Sequence, residues 1–198
     1  DNSYTTTLTL SDLTFDDCDT TTTGGAVHIT EFDTVTLTDL WIDNSSTVGT
    51  GGAIYMDSLG DADLQGLFVC DNTAASGAGL YLLDASGTVT IQNSVFVENG
   101  ATTTGGGLYL EEVLDLEMTN NHVLGNTAGT SGGGLYADTV DFDLTNNLVS
   151  SNSSGFGFYA IDYTTWSEAY GAWYSNSSAD FGGDLAGETW TPTVSTDP

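Results

Sequence analysis

The chain contains no lysine and no arginine, although 28 of its 198 residues are aspartate or glutamate. Its formal net charge is therefore −28, and only two histidines can carry a positive charge. A protein that binds nucleic acid or an anionic membrane neutralises phosphates with basic side chains, so the sequence excludes both partners. Long apolar runs are missing as well. No stretch approaches the roughly 18 residues of a membrane-spanning helix, and we expect no membrane insertion.

What the chain does have is a repeat in which a glycine-rich segment leads into an apolar–aromatic–apolar triplet. The first two copies are Gly24–Ile29 and Gly51–Met56, and four more follow. The aromatic positions of the six copies are His28, Tyr55, Tyr81, Tyr109, Tyr136 and Tyr159. They are 27, 26, 28, 27 and 23 residues apart, which is typical of units that bury their apolar sides by stacking on one another. The sequence therefore predicts a repeat protein.

Each unit contains three short apolar segments separated by polar turns, such as Val89–Ile91, Val95–Val97 and Leu108–Leu110. Alternating segments rich in valine, isoleucine, threonine and tyrosine are typical of strands, and helical spacing is nearly absent. Three strands per turn with like residues stacked predict an all-β, parallel β-helix of about six to seven turns. We expect it to be right-handed, because parallel crossovers are right-handed in about 98% of cases.

Alignment of the units assigns the side chains that face the interior. The first strand gives the pairs Val35/Leu37, Ala62/Leu64, Val89/Ile91, Leu114/Leu116 and Val140/Phe142. The second strand gives a column centred on Trp41, Phe68, Phe96, Val123 and Val149. Because the second strands are apolar on both faces, we expect their outer face to be covered either by the C-terminal tail or by another subunit.

Asparagine recurs at the turns on both sides of the second strand. After that strand it occurs at Asn44, Asn72, Asn99, Asn126, Asn152 and Asn176. Before it, asparagine occurs at Asn93, Asn120 and Asn146. Asparagine tolerates the left-handed backbone of a sharp corner, and stacked amides can hydrogen-bond from one turn to the next. We therefore predict structural asparagine ladders.

The only two cysteines, Cys18 and Cys70, fall in different columns of the repeat and about two units apart. With about 4.8 Å between stacked strands, their Cα atoms would lie about 10 Å apart. A disulfide requires Cα atoms within roughly 7 Å of each other. The sequence therefore predicts no internal disulfide.

Two elements of the repeat have a counterpart in a known family. Gly24–Val27 and Gly51–Ile54 have the form GGA[ILV], and Phe96–Asn99 has the form FxxN, whereas other copies depart from both elements. This pairing resembles the repeat of polymorphic outer-membrane proteins, whose passenger domains form right-handed β-helices on the bacterial surface. The resemblance covers about residues 8–160. It implies the fold, together with display on a surface and adhesion.

The C-terminal part of the chain differs from the repeats. Residues 1–160 are predicted to form the β-helix, whereas residues 161–198 lose the strict period but contain Trp166, Trp173 and Trp190. Terminal repeats are atypical because they cover an open end. We interpret residues 161–198 as a degenerate last turn with a tryptophan-rich cap or docking segment.

The aromatic row from His28 to Tyr159 lies between inward-facing neighbours, so its rings are expected to point outward about 4.8 Å apart. Such a row can bind a sugar or another protein, because tyrosine combines an apolar face with a polar tip. Alternatively, the rings only stabilise one another across neighbouring strands, at about 0.2 to 1 kcal/mol per pair. The candidate ligand- or partner-binding residues are the six members of the row and the three tryptophans Trp166, Trp173 and Trp190.

Carboxylates form two further groups. One column follows the aromatic row by two or three residues: Glu31, Asp57, Asp84, Glu111, Asp138 and Asp162. A second group is predicted on the first sheet of adjacent turns: Asp115, Glu117, Asp141 and Asp143. Stacked like charges are destabilising, and calcium, which takes six to eight oxygen ligands, can offset them as a structural ion. Alternatively, the carboxylates extend into water and are screened by salt.

Catalysis is not expected from this composition. Enzymes that resemble pectate lyases on this fold use a basic residue, and the chain has no lysine or arginine. A polygalacturonase-like mechanism needs only carboxylates, but its Gly-His-Gly and Arg-x-Lys elements are missing. His28 and His122 also lie in different columns. A polysaccharide-degrading enzyme is therefore the least favoured function.

The favoured function is that of an extracellular or cell-surface structural protein. A β-helix has two open ends with unpaired backbone groups, and end-to-end contact that does not close on itself produces a filament. No lysine is present to block such edges. We expect a surface or matrix filament subunit that self-associates end to end. The alternative is a cell-surface adhesin that binds carbohydrate or a partner cell through the tyrosine row.

Overall fold

The computed structural model of the protein describes residues 5–186, which fold into a parallel β-solenoid. All pairings between the strands of this part are parallel, and it contains no α-helix. Seven strands stacked in one of the sheets correspond to seven turns of the chain. The predicted all-β parallel β-helix of six to seven turns is confirmed. Trp190 lies outside the described residues.

The strands are short and recur in the same order in each turn. Within residues 5–186 they are β1 (Thr7–Ser11), β2 (Thr14–Asp16), β3 (Asp19–Thr20), β4 (Val27–Thr30), β5 (Thr34–Thr38), β6 (Trp41–Asp43), β7 (Ser46–Thr47), β8 (Ile54–Leu59), β9 (Asp61–Gln65), β10 (Phe68–Cys70), β11 (Thr73–Ser76), β12 (Leu80–Gln92), β13 (Val95–Val97), β14 (Gly100–Thr104), β15 (Leu108–Thr119), β16 (His122–Leu124), β17 (Leu135–Thr145), β18 (Leu148–Ser150), β19 (Phe158–Ile161), β20 (Trp166–Ala169), β21 (Ala172–Tyr174) and β22 (Phe181–Gly183).

Three parallel sheets run along the solenoid. The largest has 11 strands and covers two faces, because β12, β15 and β17 each continue around a corner from one face to the next. A second sheet stacks β2-β6-β10-β13-β16-β18-β21, and a third stacks β3-β7-β11-β14. Four turns therefore contain a short extra strand beyond the three predicted. It is formed by polar segments rich in threonine and serine, which apolar patterning does not detect.

Residues with left-handed backbone turn the chain at the corners. The corner before the second sheet has Asp12, Asp39, Gly66, Asn93, Asn120, Asn146 and Tyr170, with φ between 52° and 66°. The corner after it has Asp17, Asn44, Asp71, Glu98, Gly125, Ser151 and Ser175. Glycine, asparagine and aspartate tolerate this conformation best, which explains why they recur there. The predicted role of asparagine as a corner residue is confirmed at Asn44, Asn93, Asn120 and Asn146.

The core consists of stacked columns of buried side chains. One column contains Val35, Ala62, Val89, Leu116 and Phe142, and the next contains Leu37, Leu64, Ile91, Met118 and Leu144. The predicted pairs Leu114/Leu116 and Val140/Phe142 were therefore wrong by two residues, and Leu114 is 61% exposed. Leu114, Leu116 and Met118 are all apolar at alternate positions. Because of this, alternation alone is equally consistent with both registers.

The predicted inward column of the second strand was wrong at Trp41 and Phe68. The column actually contains Phe15, Ile42, Val69, Phe96, Val123, Val149 and Trp173. Trp41 and Phe68 point outward and stack with ring centroids 4.4 Å apart. These strands carry apolar residues on both faces, so their sequence has no period of two that could distinguish the faces.

The solenoid continues beyond residue 160 into the predicted degenerate turn. Strands β20, β21 and β22 pair with β17, β18 and β19. Trp166 is in register with Phe142, and Trp173 is in register with Val149. Both tryptophans are partly buried and pack against the core cluster, which also includes the fully buried Leu185. These two rings therefore fill the interior of the last turn.

Candidate interaction surfaces

The aromatic row stacks on the outer surface of the solenoid, with one ring per turn. Strand register aligns Tyr55, Tyr81, Tyr109, Tyr136 and Tyr159. Successive ring centroids lie 5.5, 4.5, 4.9 and 5.6 Å apart, and each pair of rings is within 9° of parallel. His28 extends the row on β4, with its ring centroid 4.9 Å from that of Tyr55 and tilted by 34°. The predicted geometry of the row is confirmed.

A glycine four residues before the ring lets the glycine-rich segment of the same repeat lie close to the tyrosine. Gly105 has a φ of 62°, and a Cβ atom at this position would lie 2.8 Å from the Cβ of Tyr109. It would also lie 2.6 Å from the carbonyl oxygen of Leu108. Only glycine fits this approach without displacing the backbone. The glycine-rich element of the repeat therefore serves to pack the turn against the base of the ring, which leaves the tyrosine half-buried.

Carboxylates accept hydrogen bonds from phenols of the row. Tyr55 Oη donates to Asp57 Oδ2 at 3.2 Å, and Tyr109 Oη donates to Glu111 Oε2 at 3.0 Å. Burial, followed by the charge of Glu111, raises the pKa of Tyr81 to about 12. Burial and the hydrogen bond to Glu111 likewise raise the pKa of Tyr109. These phenols therefore remain protonated hydrogen-bond donors at neutral pH.

Stacking determines which parts of the rings are available to a partner. Each ring from Tyr55 to Tyr136 has a neighbouring ring on both sides, so its two faces are covered. The edges and the hydroxyl groups are the parts that the row presents outward. A sugar that stacks on an aromatic side chain needs an open ring face. The geometry therefore favours mutual stabilisation of adjacent turns over carbohydrate stacking along the row.

The carboxylates beside the row do not form one continuous column. Asp57, Glu111 and Asp138 share one register position, but Leu83 occupies that position between Asp57 and Glu111. The left-handed corner that follows is occupied instead by Glu31, Asp84 and Asp162. The predicted column of six was wrong because it combined residues two and three positions after the ring, which belong to different columns.

The second carboxylate group lies on the outer surface of β15 and β17. Glu117 and Asp143 occupy equivalent positions on these strands, as predicted. The neighbouring turns supply hydroxyl groups to the carboxylates. Thr88 Oγ1 donates to Asp115 Oδ2 at 2.9 Å, and the Ser167 hydroxyl donates to Asp143. These hydrogen bonds partly offset the repulsion between stacked carboxylates.

Asp141, the fourth member of that group, holds the start of the last turn. Its Oδ1 accepts hydrogen bonds from the backbone N–H groups of Thr164 and Thr165, both at 2.7 Å. The Thr164 hydroxyl also donates to it. Hydrogen bonding to Thr164 and Thr165 lowers the pKa of Asp141.

One group of three potential metal ligands within residues 5–186 has its ligand atoms within 4.8 Å of one another: Asp43, Cys70 and Asp71. Cys70 Sγ donates a hydrogen bond to Asp43 Oδ1 at 3.2 Å. Burial, followed by this hydrogen bond, raises the pKa of Cys70 to about 12, and a protonated thiol is a poor metal ligand. Cys18 and Cys70 are both free, as predicted. Calcium binding by the acidic columns stays a prediction.

A buried asparagine ladder follows the second sheet. Its members are Asn72, Asn99, Asn126, Asn152 and Asn176, and the side-chain oxygen of each of the last four accepts a hydrogen bond from the backbone N–H of the one before it. Asn44 is a corner residue as predicted, but its predicted membership of this ladder was wrong. Ser45 takes that position, and its N–H donates to Asn72 Oδ1 at 2.8 Å. Asn44 is itself the left-handed corner residue, one position earlier.

A second buried ladder was missed by sequence reasoning. Ser94 N–H donates to Asn121 Oδ1 at 3.0 Å, and Asn121 N–H donates to Asn147 Oδ1 at 3.0 Å. The predicted residues Asn120 and Asn146 directly precede these asparagines and form an exposed ladder of their own. The two Asn-Asn doublets were the available signal. The first asparagine turns the corner, and the second bonds inside the solenoid.

The first turn leaves core-facing side chains uncovered. Leu8, Leu10 and Phe15 continue the core columns but are only partly buried, whereas their partners in the second turn are fully buried. Leu13 is 39% exposed, and its carbonyl oxygen accepts a hydrogen bond from the N–H of Trp41 in the next turn. Leu40, which directly precedes Trp41, is only 1% exposed. Strands β1, β2 and β3 each pair with one strand among the described residues. The first described turn therefore has partly exposed apolar side chains at its core-facing positions.

Strands of constant register, stacked turn upon turn around a core of like residues, define the class of parallel β-helix proteins. The family model described as a right-handed β-helix region matches residues 2–181, and the chain belongs to that family. The solenoid is accordingly a right-handed β-helix. Comparisons with curated proteins and with solved structures found no match. Residues 5–186 include no helix of the length and apolarity required to cross a membrane.

Proposed function

We propose that the protein is an extracellular or cell-surface structural protein whose solenoids join end to end into filaments. The observation that carries the proposal is the constant parallel register of the stacked turns, in which β1, β5, β9 and β12 align residue by residue and the core columns continue from one turn to the next. Burial of apolar surface is worth about 25 cal/mol per Å², and backbone groups at the edge gain hydrogen bonds when another strand is added. A second copy of the chain can supply both.

In this proposal the last turn of another copy supplies the partner surface. Its strands run parallel to those of the preceding turn, so they can continue the same parallel stacking. Contact of a first turn with the last turn of another copy joins two different surfaces. A contact of this kind does not close on itself, so it propagates into a filament.

The charge of the chain makes such association depend on salt. Each copy has a formal net charge of −28, so two copies repel each other strongly at low ionic strength. At about 0.15 M salt the Debye length falls to about 8 Å, and the apolar ends can then meet. We propose calcium as the physiological counter-ion that permits the carboxylates of successive turns to lie close together.

The proposal is for a protein without catalytic activity that is displayed outside the cell. The complete lack of lysine and arginine supports the absence of catalytic activity, because enzymes that resemble pectate lyases use a basic residue of this type. The resemblance of the repeats to polymorphic outer-membrane proteins supports display outside the cell. Because neighbouring rings cover the faces of the tyrosine row, we favour the filament over a carbohydrate-binding adhesin.

Two exposed leucines provide a matched test. Leu13 lies in the first described turn and is 39% exposed, whereas Leu114 lies on the side of the solenoid and is 61% exposed. We expect the wild-type protein to form fibres visible by negative-stain electron microscopy at physiological salt. Leu13→Asp is expected to abolish the fibres because it places a charge in the end contact, and Leu114→Asp is expected to leave them intact.

Sedimentation of the same samples measures the fraction assembled. A wild-type protein that stays monomeric at all concentrations and salt levels would overturn the proposal. Equal assembly of Leu13→Asp and wild type would also overturn it, because the first described turn would then play no part in the contact.

A further inference from the structure

We propose that the tyrosine row conducts oxidising equivalents along the solenoid, with a radical formed on one phenol passing to the next. The inference is independent of filament formation. It depends on the stacking of the rings, on their hydrogen-bonded carboxylates and on the charge of the chain. Its substrate class is a one-electron oxidant, such as a high-valent metal complex or the ferryl intermediate of a peroxidase.

Ring spacing is the first observation. Tyr81 and Tyr109 lie 4.5 Å apart with an interplanar angle of 3°, and Tyr109 and Tyr136 lie 4.9 Å apart with an angle of 9°. Parallel rings at these centroid distances are in van der Waals contact through their π systems. The ring centroids of Tyr55 and Tyr81 lie 5.5 Å apart, and those of Tyr136 and Tyr159 lie 5.6 Å apart. Every pair of neighbouring tyrosine rings in the row is therefore in contact.

A proton acceptor beside the phenols is the second observation. Oxidation of a phenol makes its O–H strongly acidic, so the proton must have somewhere to go as the electron leaves. Tyr109 Oη already donates to Glu111 Oε2 at 3.0 Å, and Tyr55 Oη donates to Asp57 Oδ2 at 3.2 Å. Within a preformed hydrogen bond the proton moves without any rearrangement of the protein.

The initial step balances as follows for Tyr109. One electron passes from the phenol to the external oxidant, which is reduced by one unit. The phenol proton passes to Glu111, which leaves a neutral tyrosyl radical and a protonated carboxyl group. No water or further reactant is consumed.

Migration by one turn uses the same carboxylate. Glu111, which accepts the hydrogen bond of Tyr109, also acts electrostatically on the phenol of Tyr81 in the neighbouring turn. Tyr81 gives its electron to the Tyr109 radical and its proton to Glu111, while the proton held by Glu111 returns to the oxygen of Tyr109. The net change is the transfer of one hydrogen atom from Tyr81 to Tyr109, and the radical has moved by one turn.

The charge of the chain is the third observation. The formal net charge of −28, with no lysine or arginine, creates a negative potential around the row. A negative potential stabilises the positive charge that builds up as an electron leaves a ring, and it attracts cationic oxidants. Because the phenols are protonated at neutral pH, each oxidation releases a proton that the carboxylates can accept.

The proton acceptor is tested with two charge-matched variants in the same strand. Glu111→Gln removes the acceptor of Tyr109, whereas Glu117→Gln removes the same charge from β15 away from the row. The protein is oxidised by flash-generated tris(bipyridine)ruthenium(III), and tyrosyl radical formation is followed by absorption and electron paramagnetic resonance. We expect Glu111→Gln to slow radical formation by about tenfold. Glu117→Gln is expected to match the wild type, and equal rates for the two variants would overturn the proton-acceptor role.

Migration is tested by interrupting the row. Tyr109→Phe keeps a stacking ring that is not oxidised under these conditions, and Tyr170→Phe removes an exposed phenol outside the row. After oxidation at less than one hit per chain, peptide mapping gives the absolute yield of products at each tyrosine. We expect Tyr109→Phe to raise the yields at Tyr55 and Tyr81 because radicals that would have settled on Tyr109 stop there.

The two variants keep the result interpretable. Tyr170→Phe is expected to leave the distribution within the row unchanged. If Tyr109→Phe only deletes its own share and the other yields stay constant, the phenols react independently and migration is overturned. Circular dichroism of Tyr109→Phe checks that the solenoid is intact, and Tyr81→Phe provides a second interruption if it is not.

Discussion

Asn126 Oδ1 accepts two hydrogen bonds from Asn99, one from the backbone N–H at 2.9 Å and one from the side-chain Nδ2 at 3.0 Å. Both asparagines are fully buried, and Asn126 Nδ2 in turn donates to the carbonyl oxygen of Phe96 at 3.0 Å. An amide suits this position because it donates and accepts at the same time. Each turn is thus fixed by the next through the side chain as well as through the strands.

Removal of one amide from this ladder is expected to destabilise the whole solenoid. Asn99→Ala deprives the buried backbone N–H and Nδ2 of Asn72 of their shared acceptor, Asn99 Oδ1. We expect the free energy of unfolding to fall by about 2 to 4 kcal/mol, measured by urea denaturation. Asn120→Gly, which removes an amide of the exposed ladder but keeps a residue that tolerates the left-handed corner, is the control and is expected to cost less than about 1 kcal/mol. Equal losses for the two variants would contradict the structural role assigned to the buried ladder.

The stacking of turns was predictable from sequence because a glycine-rich turn and an outward ring mark the same point of every unit. The face of each residue was less predictable. Trp41 and Phe68 lie in strands that are apolar on both faces, so no alternation distinguishes inside from outside. At Leu114 the apolar alternation continues in the sequence, but the strand pairing is irregular between Val113 and Leu116, so Leu114 faces outward although Leu116 is buried. In both cases the orientation of the side chain depends on how its strand pairs with the neighbouring turns. This pairing cannot be read from a single sequence.

The partial exposure of Leu8 and Leu10 could not be predicted from local pattern either. Leu8 and Leu10 repeat the pattern of Val35 and Leu37, with which they are in register. Leu8 and Leu10 are nevertheless only partly buried, whereas Val35 and Leu37 are fully buried, and the local pattern does not contain this difference. By contrast, the hydrogen bond from Tyr109 to Glu111 follows from a spacing of two along a strand, which puts both side chains on one face. Sequence reasoning placed both residues but assigned them to separate sites.

Alkaline pH is expected to lower the free energy of unfolding, because folding raises the pKa of Tyr81 and of Cys70. The folded pKa of Tyr81 is about 12 against an ordinary 10.0, and that of Cys70 is about 12 against 9.0. In the unfolded chain both groups ionise at the lower value, so their contribution is complete below it and is lost as pH rises through the folded pKa. Urea denaturation is expected to show a decline in stability between about pH 9 and 12, with about 1 kcal/mol from Tyr81 after allowance for its partial exposure.

Phenylalanine variants separate the row from the remaining phenols. Tyr81→Phe is expected to reduce the alkaline loss, since it removes one late-titrating phenol, whereas Tyr170→Phe removes an exposed one and is expected to have no effect. Ultraviolet titration counts the phenols directly and is expected to show a late-ionising subset that disappears in urea. An unchanged pH profile in Tyr81→Phe would contradict the assignment.

Acid is expected to loosen the last turn first. Hydrogen bonds from Thr164 and Thr165 lower the pKa of Asp141 from an ordinary 3.8, so their stabilisation is present above that value and is lost as pH falls through the folded pKa. Asp141→Asn is expected to reduce stability at pH 7 by about 0.5 to 1 kcal/mol, given the exposure of the carboxylate. The deficit is expected to shrink as pH falls through the folded pKa of Asp141, because the wild-type carboxylate then becomes protonated as well. Hydrogen exchange of the Thr164 and Thr165 amides measures the local effect.

The control for that acid response is Glu117→Gln, which removes the same charge from the same outer surface. It is expected to leave the exchange of these two amides unchanged. If Asp141→Asn and Glu117→Gln accelerate exchange equally, general charge repulsion rather than the hydrogen bonds of Asp141 governs the last turn.

Calcium is expected to raise the melting temperature at low ionic strength, because stacked carboxylates such as Glu117 and Asp143 have no basic side chain between them. An ion that binds only the folded chain stabilises it in proportion to the logarithm of its concentration. Screening by salt has a different signature, since sodium chloride at equal ionic strength then has the same effect as calcium. Thermal denaturation in calcium, in EDTA and in matched sodium chloride separates the two, and a melting temperature unchanged by EDTA would eliminate the structural calcium ion.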